Sequence, residues 1–161
     1  MAIQVGDSIP SVTLKHKTDS GLDDMSTDEL FAAGKKVVLF ALPGAYTPTC
    51  SASHLPGFVS NADAIKAKGV DTIACLSVND AFVMGSWGKE HGADGSVLML
   101  ADGNAEFSKA IGLDFDASGF GMGTRSQRYA MIVEDGKVTT LNVEQPGAFE
   151  VSSAEAVMAA L

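Results

Sequence analysis

Lys36-Val37-Val38-Leu39-Phe40-Ala41-Leu42-Pro43-Gly44-Ala45-Tyr46-Thr47-Pro48-Thr49-Cys50 decides how the rest of the chain is read. Its first seven residues are a short, nearly uninterrupted apolar run rich in strand formers, the pattern of a strand buried on both faces. Pro43 and Gly44 end that strand, and the chain after Cys50 changes period. Leu55, Phe58, Val59, Ala62 and Ile65 recur three and four residues apart until Gly69, which predicts one amphipathic helix despite Pro56 near its start. A buried strand therefore runs through a tight loop and delivers a cysteine to the first turn of a helix.

Working outward, Val70 to Val78 and Val97 to Ala101 repeat the buried-strand pattern, with helical segments between them. Asp80 is placed to cap a helix carrying Phe82, Val83 and Trp87, and Asn104 one carrying Phe107, Ala110 and Ile111. Tyr129 to Val133 and Val138 to Val143 flank Glu134-Asp135-Gly136-Lys137, where Asp-Gly signals a hairpin. Ser152 and Glu155 have capping-box spacing ahead of a closing helix. Strands alternating with helices, then a hairpin and a helix, predict an α/β fold: a mixed central sheet flanked by helices, of which the thioredoxin-like fold is the natural candidate.

The chain has 161 residues, 46% of them hydrophobic, enough for one domain over 1–161 to bury a core without disulfide or metal staples. There is no internal repeat or Pro/Ser-rich linker. A net charge of -9 argues against nucleic acid and against an anionic membrane surface as partners. No apolar run approaches the roughly 18 residues of a membrane span, and the first residues lack the basic and apolar regions of a signal peptide. With two cysteines 25 positions apart and no disulfide framework, these features point to reduced thiols and a cytoplasmic setting, leaving an organelle open.

In open α/β sheets ligands bind at the carboxyl ends of strands, where Cys50 is expected. Unpaired N–H groups at a helix start favour an anion, hence a thiolate nucleophile. Thr47 can set a hydroxyl on the approach to it, and Arg125 or Arg128, near the start of a core strand, can supply a guanidinium. His54 lies four residues after Cys50, but a zinc site needs about four ligands, and His16 and His91 are far off in sequence; His54 is expected to support the pocket or a subunit contact. Neither a metal nor a cofactor is expected. Gly119-Phe120-Gly121-Met122-Gly123-Thr124 lacks the last glycine of a dinucleotide fingerprint and reads as a flexible connector. Trp87 reads as core.

Pro43 to Cys50 matches Pro-x-x-x-Thr-x-x-Cys, the active-site pattern of the peroxiredoxins, and the stretch to Phe58 resembles their type II, or peroxiredoxin-five, subfamily. The resemblance continues through Cys75 to Val83, Trp87 and Gly123 to Tyr129, covering nearly the whole chain. It implies a thiol peroxidase in which Cys50 is the peroxidatic cysteine, Thr47 orients it and the peroxide, and Pro43 shields the pocket. Arg128 would be the active-site arginine, since the family's arginine directly precedes the aromatic residue and apolar strand, here Tyr129 to Val133. Hydrogen peroxide or an alkyl hydroperoxide would convert Cys50 to a sulfenic acid.

Animal members carry a resolving cysteine near the carboxyl terminus, but Glu150-Val151-Ser152-Ser153-Ala154 has none. Cys75 lies mid-strand in an apolar context and is not expected to reach Cys50. The resemblance therefore implies an external reductant, glutathione with glutaredoxin or else thioredoxin, and a homodimer. Two other readings stay open on the residues alone. Cys50-Ser51-Ala52-Ser53 has the Cys-x-x-Ser form of a monothiol disulfide reductase, and the same fold can serve as a redox-sensing interaction module.

Overall fold

The computed structural model describes residues 2–161. Its centre is the strand β3 (Lys36–Ala41), preceded by β1 (Thr13–Thr18), β2 (Gly21–Ser26) and the short helix α1 (Thr27–Leu30). Val37 to Leu42 are wholly buried, as their uniform apolarity requires. Val38 and Phe40 face one core with Cys50, while Val37, Leu39 and Ala41 face the other. The period-two geometry of a strand divides them so.

After β3 come a π-helical segment Cys50–His54, α2 (Leu55–Ser60), α3 (Ala62–Lys66), β4 (Thr72–Ser77), α4 (Ala81–Glu90), β5 (Leu98–Ala101) and α5 (Glu106–Ala110). A two-stranded ribbon of β6 (Asp114–Asp116) and β7 (Thr124–Ser126), β8 (Tyr129–Glu134), β9 (Lys137–Val143) and α6 (Ala154–Ala160) complete the chain. The seven-stranded sheet has the order β2-β1-β5-β4-β3-β8-β9. β3 pairs parallel with β4 and antiparallel with β8, so the sheet is mixed, as the sequence predicts. Asp135 and Gly136 turn the β8–β9 hairpin with φ of 53° and 75°, the left-handed pair that Asp-Gly supplies.

The structure corrects the sequence reading in several places. The single helix from Cys50 to Gly69 is instead three pieces. Pro56 has no N–H to continue an α-helical ladder, and the segment before it widens so that Leu55 N bonds to Cys50 O. At Asn61 the side chain donates to Gly57 O at 2.8 Å, competing with the backbone and separating α2 from α3. Asn104 does not cap α5; Asp102 does, accepting from Phe107 N and Ser108 N at 3.0 and 2.9 Å. Asp80 caps α4 through Val83 N as expected, but Phe82 points outward while Trp87 is buried. The cap of α6 is Ser153 rather than Ser152, which is used elsewhere. Residues 119–123 are the link of the β6–β7 ribbon, with a 3-10 turn at Ser118–Phe120.

Candidate active site

β3 ends beside β4, and that neighbour fixes the loop that follows. Leu42 N donates to Leu76 O at 3.2 Å, and Ser77 Oγ lies 3.1 Å from Leu42 O and 2.8 Å from Asn79 Oδ1. Asn79 Oδ1 accepts from Ala45 N at 2.9 Å. On the other side Arg125 Nη1 donates to Pro43 O at 3.2 Å and its Nε to Met122 O at 3.1 Å. A Cβ on Gly44 would stand 2.7 Å from that Nη1, so the close approach of Arg125 needs a glycine there. Tyr46 takes a left-handed φ of 65° and places its hydroxyl 3.0 Å from Ser86 Oγ. Thr47 Oγ1 donates to Gly44 O at 2.7 Å, which leaves its lone pairs free to accept.

The antiparallel register of β3 with β8 sets Ala41 opposite Tyr129. The chain leaving β3 and the chain entering β8 thus lie at the same end of the sheet, and Arg128, the residue before Tyr129, reaches Cys50 there. Arg128 Nη2 donates to Cys50 Sγ at 3.1 Å, a charge-assisted bond. Arg128 Nη1 donates to His54 Nδ1 at 2.7 Å. The guanidinium also lies 5.8 Å from the centroid of the Phe149 ring.

His54 is wholly buried among Phe40, Phe58 and Phe149. Its Nε2–H donates to Ser152 O at 2.9 Å, which leaves Nδ1 as the acceptor for Arg128. Burial first, and the Arg128 charge second, lower its pKa to about 3. Ser152 is itself held by Glu144. One oxygen, Oε2, accepts from the backbone N of Glu150, Val151 and Ser152 at 2.8, 2.9 and 2.8 Å and from Ser152 Oγ at 2.7 Å. Burial opposes ionisation of this carboxyl, but the bonds from Ser152, Glu150 and Val151 outweigh it and hold its pKa below the ordinary value.

Of the residues singled out by sequence, Cys50 and Arg128 meet directly, and Pro43 and Thr47 lie in the loop leading to Cys50. Arg125 holds the loop rather than the sulfur. Cys75 is buried in the same core cluster as Cys50, and both thiols are free. Burial pushes the Cys75 thiol well up, which makes it a poor nucleophile. Sequence reasoning gave no part in the site to Asn79, Glu144, Phe149 or Ser152: Asn79 and Ser152 bond across distant segments, Glu144 accepts from backbone N–H groups that any residue supplies, and Phe149 packs by its ring, so none leaves a local pattern. Among the described residues no three His, Cys, Asp or Glu side chains cluster as metal ligands.

The redoxin family model matches residues 4–158. This chain belongs to the type II peroxiredoxins. It is 51% identical over 164 residues to peroxiredoxin-2E-2, chloroplastic, of Oryza sativa subsp. japonica, an alignment spanning 99% of this chain and 72% of the relative. The solved structure of reduced Prx3 from Vibrio vulnificus in complex with H2O2 is similar with a TM-score of 0.94 and 58% identity, covering 98% of both chains. Peroxiredoxin 5 from Alvinella pompejana is similar at a TM-score of 0.83 and 35% identity, over 98% of this chain and 96% of that one. The mixed sheet is therefore that of the thioredoxin-like peroxiredoxin fold, and this peroxiredoxin is a thiol-dependent peroxidase acting in peroxide reduction and antioxidant defence.

Proposed function

We propose that Cys50 is the nucleophile of this peroxidase activity, with Arg128, Thr47 and Pro43 completing the substrate site. The contact of Arg128 Nη2 with Cys50 Sγ at 3.1 Å carries the reading. The thiolate attacks one peroxide oxygen, an S–O bond forms, the O–O bond breaks, and its electron pair leaves on the other oxygen. That oxygen takes up a proton and departs as water or an alcohol, and Cys50 is left as a sulfenic acid. Arg128 offers N–H groups where charge builds on the peroxide, and the lone pairs of Thr47 Oγ1 can accept a hydrogen bond from the peroxide O–H. Pro43, half-buried at the loop start, limits water. Both hydrogen peroxide and alkyl hydroperoxides fit this chemistry.

An external thiol then condenses with the sulfenic acid, releasing water, and a second thiol exchanges with the mixed disulfide to restore Cys50. The reductant is external, because Cys75 is sealed in β4 and the segment after β9 has no cysteine; the resemblance to type II members favours glutathione with glutaredoxin, with thioredoxin the competitor. The reading extends to one functional unit over the whole chain, working as a homodimer in the cytoplasm or an organelle. Its test is rapid mixing of the reduced protein with hydrogen peroxide, with the oxidised residue identified by mass spectrometry. Fast sulfenic acid formation at Cys50, absent in Cys50→Ser, is expected; turnover by Cys50→Ser would overturn the assignment.

A further inference from the structure

The bond network behind Arg128 does not stop at His54. It continues through Ser152 O into the segment 145–152, and that segment is anchored by a single carboxylate oxygen accepting four hydrogen bonds. The same segment carries Phe149, which lies against both His54 and Arg128. At its other end Glu144 N donates to Arg128 O at 2.9 Å, so the residue that orders the segment is also tied to the arginine's own backbone.

We infer that Glu144 is a positioning residue for the peroxidase reaction, fixing the direction of the Arg128 guanidinium through the 145–152 segment and His54. This rests on the reading that Cys50 and Arg128 carry the chemistry. The physical reason is directional. His54 can hold Arg128 Nη1 on Nδ1 only if Nε2 keeps the proton, and Nε2 keeps it because Ser152 O accepts there. Ser152 O stays in place because its own N–H and Oγ are clamped by Glu144 Oε2. With the clamp loosened, Arg128 retains its charge but loses the fixed angle that points Nη2 at the sulfur, and a misdirected donor stabilises a transition state poorly.

The test is Glu144→Gln, which keeps the side-chain shape but replaces the carboxylate with one neutral oxygen and an NH2 group facing backbone donors. The rate of Cys50 oxidation by hydrogen peroxide should fall about tenfold, while alkylation of Cys50 by iodoacetamide, measured at a pH high enough to ionise the thiol in both proteins and needing no guanidinium in its transition state, should stay within about twofold of wild type. In a His54→Phe background the same substitution should change the peroxide rate by less than about twofold, since the route is already cut. An undiminished rate, or equal falls in both backgrounds, would overturn the inference. Should Glu144→Gln not fold, Ser152→Ala removes one of the four donors and keeps the carbonyl; it should cost about two- to threefold with His54 present and nothing without it, and any other pattern overturns the proposal equally. A fast, Cys50-dependent wild-type rate that ignores Glu144→Gln sinks this inference alone, whereas a wild-type rate that does not depend on Cys50 sinks the underlying reading.

Discussion

His54 Nδ1 and Arg128 Nη1 lie 2.7 Å apart, a contact that exists only while the imidazole is neutral. The unfolded chain exposes this histidine at an ordinary pKa near 6.5, whereas in the folded protein burial and the Arg128 charge lower it to about 3. Between those values the unfolded state binds more protons, so stability is full above about pH 6.5 and is lost as pH falls toward 3. From pH 6 to 4.5 the loss attributable to His54 approaches about 1.4 kcal/mol per pH unit. Urea denaturation across this range should show a steeper acid slope for wild type than for His54→Asn; equal slopes would contradict the assignment.

Arg128→Met should slow Cys50 oxidation by hydrogen peroxide by about 100- to 1,000-fold, because it removes the one guanidinium bonded to the sulfur. Arg125→Met should cost about tenfold, since Arg125 acts on the Pro43 carbonyl and not on Cys50. Stopped-flow rate constants for the two variants decide it. The reverse ranking would exchange their roles.

Gly44→Ala should resemble Arg125→Met in size, because the new methyl would meet Arg125 Nη1 at 2.7 Å and Thr47 Cγ2 at 3.2 Å. The two substitutions disturb one contact, so the double variant should be little slower than either single one. Full additivity would place the Gly44 effect elsewhere.

Cys75→Ser should keep most of the peroxidase rate and lose about 1–3 kcal/mol of stability, since it buries a hydroxyl in an apolar strand environment. Parallel kinetics and thermal melts measure both. A large loss of turnover without loss of stability would give Cys75 a chemical part.

Trp87 is the single tryptophan, and its Nε1–H donates to Ser51 Oγ at 3.0 Å, one residue beyond Cys50. Oxidation of Cys50 should therefore change the intrinsic fluorescence, and Ser51→Ala should shrink that change while leaving the mass-spectrometric extent of oxidation unaltered.

What the sequence made legible follows from burial and local turn chemistry. β3 is apolar at every position because both faces are covered, and the β8–β9 hairpin announces itself through Asp135-Gly136. The β1–β2 hairpin escaped notice because it lies at the sheet edge, where Lys15, Lys17, Asp23 and Asp24 face solvent and blur the alternation. The break at Asn61 depends on one side-chain bond that periodicity does not register. Cys50 and Thr47 stand out through the motif and Arg128 through the wider resemblance, and the structure brings Arg128 into contact with Cys50. Glu144 was not, because a carboxylate accepting from backbone N–H groups six to eight residues away needs no partner of any particular type.

The cross-strand pairing of Ala41 with Tyr129 has a temporal consequence. During synthesis Cys50 leaves the ribosome long before the residues that arm it, and until β8 docks against β3 the sulfur has no guanidinium beside it. A nascent or unfolded chain thus lacks the donor that, on the proposed reading, speeds attack on peroxide. On the proposed reading, peroxide reactivity therefore arrives with the docking of β8, so that folding of the sheet and arming of the sulfur are one event.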